Sequence, residues 1–177
     1  AQAHPRIGIE LVLSNRNEDL LRHDADLAVR MVPPVQDALV ARRLGVVRLG
    51  LYAHPAYVAR RGVPDDAAAL SGHVLIGPQS ARGLAGVTLG GRAVTPDLFT
   101  HRSDSDLAQL ALLRAGVGIG ICQTRIAARC GLVPVLEREV FTLDPWLVMH
   151  EDLRTTRRVR LLFNHLALRL GALWRDG

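Results

Sequence analysis

An α/β fold, with a sheet covered by helices on both faces, is what this sequence predicts, and three observations carry it. Apolar strands alternate with capped helical stretches through residues 103–136. A long apolar stripe closes the chain: Val159, Leu162, Phe163, Leu166, Leu170 and Leu173 recur at spacings that a helix lays on one face. Hydrophobic residues make up 49% of the 177, with 16 glycines, so the chain can bury a core as one domain or two small lobes without disulfide staples.

Taken in order, Ile7, Ile9, Leu11 and Leu13 alternate, which predicts a strand over residues 7–14 with one buried face. Asn15 can cap a short helix through Arg22. Residues 27–32 read as a second strand, ended by Pro33-Pro34. Residues 38–44 and 46–53 form a long extended path interrupted at Gly45. Helical turns at 57–61 and 66–70 lead to a strand at 73–76, then a glycine-rich loop or hairpin at 83–92. A strand at 98–102 feeds the most informative stretch.

There, Ser103 followed by Asp106 is a capping-box pattern that starts a helix at Asp104. Leu107, Leu110, Ala111 and Ala115 keep helical spacing, and Gly116 supplies a left-handed end. Val117, Ile119 and Ile121 then alternate with Gly118 and Gly120, a strand with one face bare of side chains. Thr124 can cap the next helix and Gly131 can close it. Strands at 132–136 and 147–150 precede the last helix. Helices between apolar strands imply parallel crossovers.

Several function classes are excluded or disfavoured. The 22 basic residues are all arginine, giving a net charge of +5, but they are scattered; only Arg154, Arg157, Arg158 and Arg160 cluster, on a solvated helix face. Phosphate recognition needs a concentrated patch. Aromatic content of 4% leaves little for base stacking. No apolar run reaches membrane-helix length, and the start AQAHPRIGIE lacks a signal peptide's basic and apolar regions, so a cytoplasmic location is expected. Cys122 and Cys130 fit no zinc spacing and read as reduced core residues. Ser80 lies outside any nucleophile elbow, and GVGIGIC lacks the dinucleotide fingerprint. His150, Glu151 and Asp152 are consecutive and cannot converge on a metal. No catalytic residue, metal or cofactor is expected.

The motifs together resemble the effector-binding domain of LysR-type transcriptional regulators. The resemblance is carried by the 103–136 segment, by Asp26-Leu-Ala-Val-Arg30 with Leu39-Val-Ala-Arg-Arg-Leu44, by His54-Pro-Ala-Tyr-Val-Ala-Arg-Arg-Gly62, and by Trp146-Leu-Val-Met-His-Glu-Asp-Leu-Arg154 before a basic helix. It implies two Rossmann-like lobes joined by two crossover strands, a type II periplasmic-binding-protein-like arrangement. Lobe I would combine residues 1–47 and 144–177, and lobe II residues 48–143. The family's first strand and helix of lobe I, and its winged helix-turn-helix, are not matched here, so the resemblance implies either a fragment of a longer regulator, the expected case, or an unusual remnant. The implied partners are a small-molecule effector held between the lobes, a second copy in a homodimer or tetramer, and DNA only through the N-terminal domain; no membrane is implied. The dimer would set residues 7–14 and the following helix against the partner's 98–102 strand and 104–115 helix. A solute-binding protein of the periplasmic type is the alternative reading.

In open α/β sheets, ligands settle where strand carboxyl ends meet helix N-termini. Here that means Ser103 with Asp104, and Gln123 with Thr124; Arg30, near a strand's carboxyl end, adds charge. These donors favour an anion, most simply a carboxylate. Ser103 is also an ordinary cap, and Arg30 is read equally well as a surface ion pair with Asp26 or Glu18.

Overall fold

Gly45 and Pro145 stand where the chain changes its packing partners. The computed structural model describes residues 5, 7–14, 25–34, 36, 38–81 and 84–174. The chain divides into unit 1, Ala1–Val47 with Leu143–Gly177, and unit 2, Arg48–Thr142.

Unit 1 is built on an antiparallel sheet of β1 (Leu27–Arg30), β10 (Trp146–His150) and β2 (Leu39–Arg43), with β10 central. The register pairs Leu27 with Met149 and Arg30 with Trp146 on one side of β10, and Trp146 with Arg43 on the other. One face of this sheet packs on α4 (Arg157–Trp174), whose Val159, Phe163 and Ala167 meet Leu44, Leu147 and Met149 in a single core. That is the terminal helix its apolar stripe predicts. The crossover after β2 is fixed by close approach. Gly45 has φ +146, and a Cβ there would lie 2.5 Å from the Trp174 carbonyl oxygen. Val46 N–H donates to that same oxygen at 3.1 Å. Only glycine fits such a position.

Unit 2 carries a five-stranded sheet, in the order β7 (His101–Arg102), β4 (Leu75–Gly77), β8 (Ile119–Gln123), β3 (Val47–Ala53), β9 (Val133–Leu143). β4 runs parallel to β7 and β8, whereas β3 is antiparallel to β8. One sheet face packs with α1 (Pro55–Arg61), burying Leu51, Ala53, Tyr57, Leu75 and Ile119. The other packs with α2 (Asp106–Arg114) and α3 (Thr124–Arg129), burying Tyr52, Ile76, Leu113, Cys122 and Ala127. The glycine-rich stretch forms a small hairpin, β5 (Thr88–Leu89) with β6 (Arg92–Ala93). Close packing explains the glycines at and just before β8: a Cβ on Gly118 would meet the Val74 carbonyl oxygen at 2.4 Å, and one on Gly120 would press on Ile76 and Leu113.

Four expectations need correction. Residues 7–14 are assigned no strand and have no ladder partner among the described residues, and Ile9, Leu11, Val12 and Leu13 are exposed. Alternation sets which side chains share a face but does not supply a neighbouring strand. The strand expected at 98–102 shrinks to His101–Arg102, because Pro96 begins a 3-10 turn over Pro96–Leu98 instead. The helix starts at Asp106 and not Asp104, with Ser105 as its cap in place of Ser103. Thr124 is the first residue of α3 and makes no capping bond; Gln123 holds the cap position without a side-chain hydrogen bond. The helix expected at residues 15–22 lies outside the described residues.

Candidate effector site

The parallel strands of unit 2 end together. Because β4, β7 and β8 share a direction, Gly77, Arg102 and Gln123 lie on one edge of the sheet, and β3, running the other way, begins there with Leu49 opposite Gln123. Three turns leave this edge: 78–80 after β4, 103–105 after β7, and the direct step from Gln123 into α3. Ser103, Asp104, Gln123 and Thr124 are therefore brought to one edge of one unit. Arg30 is carried by unit 1, at the end of β1, and is half-buried.

Each side chain has a specific set of obligations. Ser103 is tied to the sheet by its N–H, which donates to Gly77 O at 3.0 Å, and by its carbonyl, which accepts from Gln109 Nε2 at 2.7 Å. Its hydroxyl oxygen accepts from Ser105 N–H at 3.2 Å, so the hydroxyl proton stays available for an outside acceptor. Ser105 Oγ caps the helix by accepting from Ala108 N–H at 3.3 Å.

Asp104 is used differently. Its Oδ1 accepts from Gln79 N–H and Ser80 N–H, both at 2.9 Å, and from Ser80 Oγ at 3.2 Å. This one oxygen stitches the β4 turn to the β7 turn and holds the floor of the edge in place. Thr124 Oγ1 accepts from the Tyr52 hydroxyl at 3.1 Å and donates to Arg48 O at 3.3 Å. Its proton is committed, so toward a ligand it acts as an acceptor. Gln123 is half-buried, and its amide offers both a donor and an acceptor.

Sequence reasoning missed Ser105, Gln79 and Ser80, which shape this edge through the bonds above. The Ser-x-x-Asp spacing pointed to the right turn but was shifted by two residues, since Ser103-Asp104-Ser105-Asp106 offers two competing caps. Among the described residues no cluster of three His, Cys, Asp or Glu side chains is placed to hold a metal ion. Among the described residues no helix is long and apolar enough to cross a membrane.

Two sheets with covering helices, a double passage of the chain between units, and polar turns at the carboxyl edge of parallel strands define a type II periplasmic-binding-protein-like α/β protein. Residues 1–170 match the family model described as the LysR substrate binding domain, and the chain belongs to that family. It is similar to the HTH-type transcriptional regulator CrgA of Neisseria meningitidis serogroup C, 29% identical over 181 residues that cover 96% of this chain. The chain spans 60% of that relative's length. Its fold is that of the CrgA regulatory domain from Neisseria meningitidis, with a TM-score of 0.81 at 23% identity, covering 96% of this chain and 87% of that one. The regulatory domain of AphB in Vibrio vulnificus has a TM-score of 0.73 at 24% identity, covering 94% and 86% of the two chains.

Proposed function

We propose that the chain is the ligand-sensing part of a LysR-type transcriptional regulator, with residues 1–47 and 144–177 as one lobe and 48–143 as the other. Family membership over residues 1–170 is the observation that carries this reading. The effector is a small carboxylate. Ser103 donates its free hydroxyl proton to the carboxylate, Gln123 offers its amide, Thr124 accepts from a donor elsewhere on the effector, Asp104 keeps the turns in register, and Arg30 supplies positive charge. The effector acts by preferring one conformation of the domain over another, and that preference is the signal. No bond is made or broken, so the domain works as a switch and not as an enzyme. DNA contact and the transcriptional response belong to the whole regulator, acting in the cytoplasm as a dimer or tetramer.

The reading is tested by thermal shift with a panel of aliphatic and aromatic carboxylates, followed by calorimetry on the compound that stabilises most. Ser103→Ala with Thr124→Val should weaken that compound at least about tenfold, the loss of one or two hydrogen bonds, while the domain stays folded with a lowered unfolding midpoint, because Tyr52 and Ser105 lose their acceptors. Unchanged affinity would move the pocket elsewhere. A regulator also requires a DNA-reading segment in the full-length gene; an export signal there would favour a periplasmic solute-binding protein instead.

A further inference from the structure

Trp146 opens β10, and the antiparallel register sets it between Arg30, the last residue of β1, and Arg43, the last residue of β2. Directly opposed residues of antiparallel strands project from the same face, with Cβ atoms about 4.5–5.5 Å apart. Two guanidinium-bearing chains thus flank one indole across the end of the unit 1 sheet. The α4 core takes the other face, since Leu147 and Met149, in phase with one another and out of phase with Trp146, lie in it. Arg43 is already engaged by Asp144, at 2.7 Å and half exposed. The indole is not. Its Nε1 is shielded from solvent and has no hydrogen-bond acceptor among the described residues. An indole N–H can only donate, and native proteins seldom leave a buried donor without a partner.

We infer that Trp146 Nε1 donates to a carboxylate oxygen of the effector, with Arg30 beside it in the same row. The inference rests on the reading of the chain as an effector-binding domain and adds to it a residue that neither the motifs nor the strand-end geometry had singled out. The row fits an anion. An indole N–H and guanidinium groups are all donors, so a metal ion or an ammonium group finds no acceptor among them. A carboxylate can give one oxygen to the directed N–H and the other to a guanidinium. The indole ring also offers an apolar wall to the carbon that bears the carboxylate.

The test uses sodium acetate as the probe, titrated into the 15N-labelled chain at constant ionic strength, to the roughly 100 mM that so small a ligand requires. The sequence holds two tryptophans, so Trp174→Phe assigns the remaining indole N–H signal to Trp146. That signal should move downfield and saturate. In Trp146→Phe, which keeps a ring and loses the donor, acetate affinity read from the backbone amides of Arg30 and Leu147 should fall about tenfold, the loss of one charge-assisted hydrogen bond. An indole signal that stays still, an affinity unchanged in Trp146→Phe, or an equal shift with sulfate at the same ionic strength would each overturn the assignment. Ser103→Ala with Thr124→Val should leave the acetate response of Trp146 intact, so failure of the unit 2 pocket and failure of this inference are read separately. Loss of the response in that double variant would place the acetate outside unit 1 and count against the inference.

Discussion

Asp104 gathers three donors on one carboxylate oxygen, which joins the turn after β4 to the turn after β7. Asp104→Asn retains a carbonyl oxygen and should keep the turns joined. Asp104→Ala removes the acceptor and should cost on the order of 1 kcal/mol, because the bonds are exposed, read as a lower urea midpoint with faster amide exchange at Gln79 and Ser80. An Asp104→Asn variant with normal stability but lost effector affinity would show that the charge itself touches the ligand. Cys122 gives a second prediction at this scale. Burial pushes its thiol from an ordinary 9.0 up to about 11, reinforced by nearby Cys130 and opposed by the Gln123 N–H. The neutral thiol is the form the fold favours. Its contribution to stability is therefore complete below pH 9 and lost as the pH rises toward 11. Iodoacetamide at pH 7.5 should leave Cys122 unmodified in the folded chain, since the thiolate is the nucleophile. Rapid labelling there at neutral pH would contradict the assigned environment.

At the scale of elements, β8 shows why glycine can be a packing residue. A Cβ at Gly118 meets a backbone oxygen of Val74, which cannot swing away like a side-chain tip. Gly118→Ala should cost about 1–3 kcal/mol as an overpacked position, measured by chemical denaturation, with Leu113→Ala on the opposing helix costing about 2–5 kcal/mol through its cavity. Much of this level was legible in the sequence. The stripe on α4, the GVGIGIC strand and the Gly116 and Gly131 stops come from local patterns whose physics is local. Residues 7–14 were misread because pairing is a long-range property that alternation cannot report. The cap at Ser105 was missed because the Ser-x-x-Asp rule is met by Ser103 with Asp106, whereas Ser105 is followed three residues later by Ala108 and caps that residue's N–H without an acidic partner. Trp146 went unnoticed as a donor for a similar reason. Its meaning comes from Arg30 and Arg43, which lie more than a hundred residues away in sequence and opposite it in the sheet.

At the scale of the whole molecule, the exposed apolar surface points to a second copy of the chain. Ile9 is 58% exposed, Leu11 78% and Leu13 68%, all in one segment, and Leu107 on α2 is 62% exposed. Isolated surface leucines need no explanation, but a run of large apolar residues with no strand beside it among the described residues is what pairs or packs with another chain. Segment 7–14 and helix α2 are also the two elements that the family resemblance sets against one another across an antiparallel dimer. Sedimentation of the chain at tens of micromolar should therefore show a dimer. Leu11→Glu with Leu13→Glu should weaken association by at least about tenfold per residue, since each buried leucine contributes roughly 1.5–3 kcal/mol. Leu107→Glu should do the same from the other side of the contact, whereas Leu168→Glu, equally exposed on α4 and outside the proposed interface, should leave the dimer intact. Dissociation by Leu168→Glu alone, with the segment 7–14 variants still dimeric, would move the interface to the terminal helix.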